Sequence, residues 1–168
     1  TLAGVESTGY SGRCVSKRCG LWDPMIGGMD VAIEGAPIYG IPGMQIRPDM
    51  VVIEMGVNDI LTGSGHRRTI AGLMVLREEL IEMGIEPVLS TLVPAGTPLP
   101  NYAPVKSKHD KVNAWIRNSG FNYVEFDKAL RNRKGALKPA YDSGDGIHPN
   151  QAGHAKMAQV LTGFIANQ

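Results

Sequence analysis

The stretch DMVVIEMGVND, residues 49–59, contains a short apolar run that ends at a glycine. Asp49 to Met55 are rich in β-branched side chains, and Pro48 and Gly56 flank them. An apolar run of this length between turn-forming residues is typical of a strand that is buried on both faces. We therefore predict a strand over Asp49 to Met55.

Further strand-like runs alternate with helical patterns along the chain. We predict strands over Glu86 to Val93 and Asn122 to Asp127, and a weaker one over Thr1 to Glu6. Helical periodicity covers residues 67–83, the region of Val105 to Ile116 up to Gly120, and Gln151 to Ile165. The predicted buried face of the first of these helices comprises Ile70, Leu73, Met74, Leu80 and Ile81. That of the last comprises Ala158, Leu161 and Ile165. Strand and helix in alternation predict an α/β fold with a central parallel sheet covered on both faces, in one domain over residues 1–168.

Composition narrows the classes of partner. The 17 Lys and Arg residues nearly balance the 16 Asp and Glu residues, and neither sign forms a long block. This argues against a nucleic-acid partner and favours a small ligand of low charge. The sequence has no apolar run of about 18 residues, so we expect no membrane span.

The cysteines give no metal motif. Cys14 and Cys19 are the only two, and no second cysteine pair or nearby histidine accompanies them. A zinc site is therefore not expected, and both a local disulfide and two free thiols remain open. We predict no metal and no organic cofactor.

Loops that follow the strands are the expected place for a ligand, because open α/β sheets bind ligands outside the carboxyl ends of their strands. Three such loops carry polar or glycine-rich sequence: Gly56 to Asp59, Pro94 to Pro100 and Asp142 to His148. In the first, Asn58 is either part of an ordinary turn or an amide donor to a developing oxyanion.

The stretch YDSGDGIHPNQAG, residues 141–153, holds an acid and a histidine three positions apart. Asp145 and His148 either form an Asx turn before a helix or a pair in which Asp145 fixes the tautomer of a catalytic His148. Pro149 suits the first turn of the following helix. A glycine-rich segment, residues 8–13, is either a plain loop or a backbone anion site.

Taken together, GVND after an apolar strand and DGIHP before a final helix resemble the SGNH hydrolases, also called the GDSL esterase/lipase family. The resemblance covers nearly the whole chain. It implies a flavodoxin-like three-layer α/β/α sandwich and a serine esterase that cleaves small acyl esters, with acetylated carbohydrates among the candidate substrates. The mechanism it implies is a Ser/His/Asp triad that forms an acyl-enzyme.

The resemblance also assigns residue roles. His148 would be the general base, Asp145 its partner, and Asn58 and Gly12 the oxyanion donors, with Gly9 as the alternative to Gly12. The family's Gly-Asp-Ser block does not occur in the 168 residues, and Ser11, Ser64, Ser90 and Ser143 do not fit a nucleophile turn. We therefore expect the nucleophile and the first strand upstream of Thr1, in a missing N-terminal segment or a separate peptide that completes the sheet. The alternative is an inactive domain that binds a glycan or an ester.

Two further histidines lie on predicted helices. His109 and His154 fall on the apolar faces of their helices, which favours half-buried structural histidines over ligands.

Overall fold

The computed structural model describes residues 48–96 and 102–168, which form a three-stranded parallel sheet with helices around it. The sheet order is β1-β2-β3. The elements in chain order are β1 (Met50–Ile53), α1 (Val57–Leu61), α2 (His66–Glu82), β2 (Glu86–Ser90), α3 (Tyr102–Asn118), β3 (Tyr123–Val124), α4 (Phe126–Leu130), a 3₁₀ turn (Pro139–Tyr141) and α5 (Gln151–Ile165). The predicted strand over Thr1 to Glu6 lies outside the described residues.

Helices cover both faces of the sheet. Side chains alternate along each strand, so each strand contributes apolar residues to both faces. Leu89 in β2 belongs to one apolar cluster, which includes residues of α2 and α3. Its neighbour Val88 belongs to a second cluster, formed with residues of α4 and packed against by α5. The predicted α/β class with a covered parallel sheet is therefore confirmed, as three layers.

The predicted strand over Asn122 to Asp127 was too long. The strand itself is only Tyr123–Val124, and α4 begins two residues later. Glu125 ends the strand because its carboxylate accepts a hydrogen bond from the Lys128 backbone N–H, which caps the new helix. The two preceding strands are also shorter than predicted, since their last residues enter the loops at the carboxyl edge.

The predicted helices are present, but two of their faces are rotated. In α2 the buried residues are Thr69, Gly72, Leu73, Leu76 and Leu80, and Ile81 is exposed. In α5, which has the predicted bounds, Met157, Val160, Leu161 and Phe164 pack against the core, and Ala158 and Ile165 are exposed. No helix in the part of the chain that the structure describes is both long and apolar enough to cross a membrane.

A buried carboxylate lies in the short helix α1. Asp59 is 7% exposed, and among the described residues its Oδ2 atom has no hydrogen-bond partner. Burial raises the pKa of Asp59 to about 6, against a smaller opposing effect of the Arg68 charge. The fold therefore holds this group at a free-energy cost whenever it is ionised.

We predict that the change in the free energy of unfolding caused by Asp59→Asn is more favourable to the folded state at pH 7 than at pH 4. The folded protein keeps the Asp59 proton up to about pH 6, whereas the unfolded chain loses it near the ordinary value of 3.8. The wild-type free energy of unfolding therefore falls as the pH rises between these values, and the amide removes that contribution. Urea denaturation at both pH values measures the difference between variant and wild type, in which all other titrating groups cancel.

The matched control is Asp49→Asn, which removes an exposed carboxylate at the other end of β1. An effect of Asp59→Asn on the free energy of unfolding that is equal at pH 4 and pH 7 would contradict the assignment of a raised pKa to Asp59.

Candidate active site

The carboxyl end of β1 turns sharply into α1 and places Asn58 in the first turn of that helix. Gly56 makes the turn with φ of 118°, a conformation that side chains with a Cβ rarely adopt. A Cβ there would also lie 2.7 Å from Thr69 Cγ2. Asn58 is half-buried, and its backbone carbonyl accepts hydrogen bonds from the N–H and the hydroxyl of Thr62. The ordinary turn considered for this segment is thus the start of a helix.

The segment that follows β2 stays buried as far as Gly96. The Leu137 N–H donates to the Ala95 carbonyl at 3.3 Å, and the Gly96 N–H donates to the Gly146 carbonyl. The two glycines are so close that a Cβ on Gly96 would lie 2.8 Å from Gly146 Cα. This contact places the loop that carries Asp145 and His148 at the carboxyl edge of the sheet, as predicted for a ligand site.

The loop is held in shape by its own hydrogen bonds. Asp142 Oδ1 accepts from the backbone N–H groups of Gly144 and Gly146 at 2.9 and 3.0 Å. Both glycines have positive φ, so the chain can curl around the carboxylate. The Ser143 N–H donates to the His148 carbonyl at 3.0 Å, which closes the loop.

Asp145 and His148 form a direct pair. His148 Nδ1 lies 2.5 Å from Asp145 Oδ2. Asp145 Oδ1 accepts from the backbone N–H groups of Ile147 and His148, both at 2.8 Å. The Asx turn and the contact between Asp145 and His148 therefore occur together, since one carboxylate oxygen makes the turn and the other binds the imidazole.

The pair is exposed and its charge state is defined by hydrogen bonds. The side chains of His148 and Asp145 are 71% and 46% exposed. The hydrogen bond from His148 and those from the backbone hold the pKa of Asp145 well below its usual range. Asp145 is thus an ionised acceptor near neutral pH, so a neutral His148 ring would carry its hydrogen on Nδ1 and present Nε2 as an acceptor.

The sequence predicted Pro149 in the first turn of the last helix, but Pro149 lies before that helix. It pairs as a bridge with Asp142, and α5 begins at Gln151 after an Asn150 cap. The Asn150 side chain accepts from the Gly153 N–H and donates to the carbonyls of Ala140 and Asp142. Asn150 therefore connects the end of the loop to the helix. An Asn before a helical pattern indicates the helix cap, but it does not indicate the bonds to Ala140 and Asp142.

The remaining predicted site residues differ in what the structure says of them. Gly12 and its alternative Gly9 lie outside the described residues, as do Cys14 and Cys19. Asn58 follows β1, and the His148 loop contacts the segment after the neighbouring strand β2, so both belong to the same edge of the sheet. Ser90 is buried in β2. Within residues 48–96 and 102–168, no group of three or more His, Cys, Asp or Glu side chains could hold a metal ion.

The two histidines that were predicted to be half-buried, His109 and His154, differ from each other. His109 is 3% exposed, more deeply buried than expected, and its Nε2 lies 2.7 Å from the Val93 carbonyl oxygen. His154 is exposed on α5, so its predicted half-buried position was wrong.

The fold has solved relatives. A GDSL-like lipase from Bacteroides thetaiotaomicron is 22% identical with a TM-score of 0.61, over 71% of this chain and 63% of its own. A member of the lipolytic G-D-S-L family from Veillonella parvula is 18% identical with a TM-score of 0.59, over 85% and 75%. A carbohydrate esterase of family 3 from Talaromyces cellulolyticus is 16% identical with a TM-score of 0.52, over 71% and 58%. The chain thus spans less than two-thirds of the Bacteroides lipase, and at these identities the likeness shows the fold alone.

Sequence comparison gives the family. No curated protein matches the chain at a significant level. The sequence model of the GDSL-like lipase/acylhydrolase family, however, matches residues 5–156. That match includes both the GVND segment and the Asp145 to His148 loop, and it confirms the resemblance seen in the motifs. The chain belongs to the GDSL-like lipase/acylhydrolase family.

Proposed function

We propose that the protein is a serine esterase that hydrolyses small acyl esters through a Ser/His/Asp triad and an acyl-enzyme. The observation that carries the proposal is the pair formed by His148 Nδ1 and Asp145 Oδ2 at 2.5 Å. A carboxylate on Nδ1 fixes the tautomer in which Nε2 is a free base. Membership of an acylhydrolase family supports ester substrates.

In this proposal His148 takes the proton of a serine hydroxyl as the serine attacks the acyl carbonyl. His148 then gives the proton to the leaving alcohol, and the same two steps with water release the acid. Asp145 stays ionised and stabilises the imidazolium that forms between the steps. The low pKa of Asp145 suits this role, because an ionised acceptor keeps its hydrogen bond throughout. The serine is not assigned to any of the 168 residues, and we expect it upstream of Thr1.

The oxyanion donors in the proposal are the side-chain amide of Asn58 and the backbone N–H of Gly12. Asn58 is a suitable donor because helix α1 and the constrained turn at Gly56 fix the position of its backbone at the end of β1. No metal or cofactor is assigned a step. The near-neutral charge of the chain suits an uncharged ester.

Replacement of His148 tests the triad. We predict that His148→Ala, made in the product of the intact gene, lowers kcat for p-nitrophenyl acetate by about 10⁴-fold or more, because the general base is lost. Circular dichroism should show an unchanged fold, since the imidazole is exposed. The substrate series should include acetylated carbohydrates, because the family 3 carbohydrate esterase shares this fold.

His154→Ala is the matched control, because it removes an exposed histidine from the neighbouring helix α5. Turnover that His148→Ala leaves unchanged would overturn the triad. A wild-type protein that binds an acetylated glycan without cleaving any ester would instead support an inactive binding domain.

Replacement of Asn58 tests the oxyanion role separately. We predict that Asn58→Ala lowers kcat by about 10²- to 10³-fold with little change in KM, because the amide acts on the transition state more than on the bound ester. Steady-state kinetics on the same ester measures both constants. A rise in KM at unchanged kcat would place Asn58 in ground-state binding and contradict the assignment.

A further inference from the structure

Two polar side chains of α3 bind the backbone of the segment that follows β2. The Leu92 N–H donates to Asn113 Oδ1 at 2.7 Å, and Asn113 Nδ2 donates to the Leu92 carbonyl at 3.1 Å. His109, one turn earlier, places Nε2 2.7 Å from the Val93 carbonyl oxygen. His109 and Asn113 are 3% and 0% exposed, so these bonds form away from water. We call these two side chains the α3 clamp.

The clamp has one consistent set of donors and acceptors. The Val93 carbonyl can only accept, so the hydrogen of neutral His109 is on Nε2 and Nδ1 is an acceptor. Nδ1 lies 3.4 Å from Asn113 Nδ2, a donor. Reversal of the Asn113 amide would break both bonds to Leu92, so its orientation is fixed as well. Burial is the largest influence on His109 and lowers its pKa, which favours the neutral ring.

The same segment is bound from other directions. Burial raises the pKa of the Glu54 carboxyl, and the neighbouring Val93 backbone N–H opposes that rise. The Thr91 N–H donates to the Val124 carbonyl of β3 at 2.9 Å. The backbone N–H groups of Thr91 and Leu92 therefore have defined partners. A buried peptide group that loses its partner is left unsatisfied at a free-energy cost, so this backbone has little freedom to shift while the bonds remain.

The held backbone leads directly to the loop of the proposed triad. Three residues after Val93, Gly96 donates to the Gly146 carbonyl and contacts its Cα closely. Gly146 follows Asp145, whose carboxylate binds His148. A movement of the segment at Val93 would thus reach the Asp145 and His148 pair through backbone contacts only.

We propose that His109 and Asn113 are positioning residues that keep the Asp145 and His148 pair in register by fixing the backbone of Leu92 and Val93. This inference rests on the proposed function only for its meaning in catalysis. Its structural content, that α3 controls the geometry of His148, is independent of turnover.

The test reads the tautomer of His148 in the product of the intact gene. The ¹⁵N shifts of the ring nitrogens, detected through the carbon-bound ring protons, report which nitrogen carries the hydrogen at a pH where His148 is neutral. His148→Ala identifies the signals. In the wild type the Asp145 carboxylate should hold the hydrogen on Nδ1.

Three variants of α3 are compared. His109→Leu removes the bond to the Val93 carbonyl, and His109→Gln restores an amide donor at a similar reach. Ile116→Val is the control, because it weakens the packing of a fully buried residue on the same helix that makes no side-chain hydrogen bond. If His109→Leu does not fold, His109→Met, which is flexible and similar in volume, replaces it.

We predict that His109→Leu shifts a substantial fraction of His148 to the Nε2–H tautomer, whereas His109→Gln and Ile116→Val keep the wild-type ratio. An unchanged ratio in His109→Leu would overturn the proposal and leave the triad intact. A wild type that lacks the Nδ1–H tautomer would instead show that the Asp145 and His148 pair is absent, which overturns both.

Turnover gives a second readout. In a wild type that hydrolyses the ester, His109→Leu should lower kcat by about 10- to 100-fold with KM nearly unchanged, because a misplaced base affects the reaction more than binding. A parallel loss in Ile116→Val would mean that general destabilisation explains the effect and would count against positioning.

Discussion

The contact between Gly96 and Gly146 is the constraint on which the geometry of the site depends. It joins the chain that leaves β2 to the loop that carries Asp145 and His148, and it leaves no room for a side chain on Gly96. Each strand of the sheet is paired, and both faces of the sheet are covered by apolar clusters. Through this contact an exposed loop acquires a fixed position relative to the carboxyl ends of the strands. Asn58 lies at the same edge of the sheet, just after β1.

Two separate kinds of order meet in that loop. Its internal shape comes from carboxylates that bind backbone N–H groups: Asp142 binds those of Gly144 and Gly146, and Asp145 those of Ile147 and His148. Its placement comes from the sheet and from α3. Asp145 takes part in both, since one of its oxygens shapes the turn and the other orients the imidazole. An exposed contact between two polar side chains contributes little to stability, so the value of this pair lies in its geometry.

Much of the fold could be predicted from the sequence, because the spacing of apolar residues differs between buried strands and the helices that pack on a sheet. The apolar run after Pro48, the bounds of α5 and the parallel arrangement were all indicated by pattern. The errors arose where tertiary contacts override local pattern. Asn122 to Asp127 alternates like a strand, yet Glu125 caps a helix, and the Arg117 side chain binds both Glu125 and Asp127. The buried faces of α2 and α5 differ from the predicted ones because each helix has more apolar residues than one face can hold. Packing against the sheet decides which of them are buried.

The candidate site was predictable to the extent that it is local. Asp145 and His148 are three residues apart, so a turn can bring them together and the sequence shows it. His109 and Asn113 are different, because their partners are backbone atoms of Leu92 and Val93, which have no sequence signature. The approach of Gly96 to Gly146 likewise joins two glycines about fifty positions apart in a chain with 21 of them. Such contacts become visible only when the fold is known.

The central claim is that Asp145 and His148 activate a serine. The most direct test is the reaction of the intact gene product with a fluorophosphonate, followed by mass spectrometry of the protein and of its peptides. We predict one covalent adduct per chain, on a serine, formed far more slowly in His148→Ala. A protein that stays unmodified, or a His148→Ala variant that is modified at the wild-type rate, would contradict it.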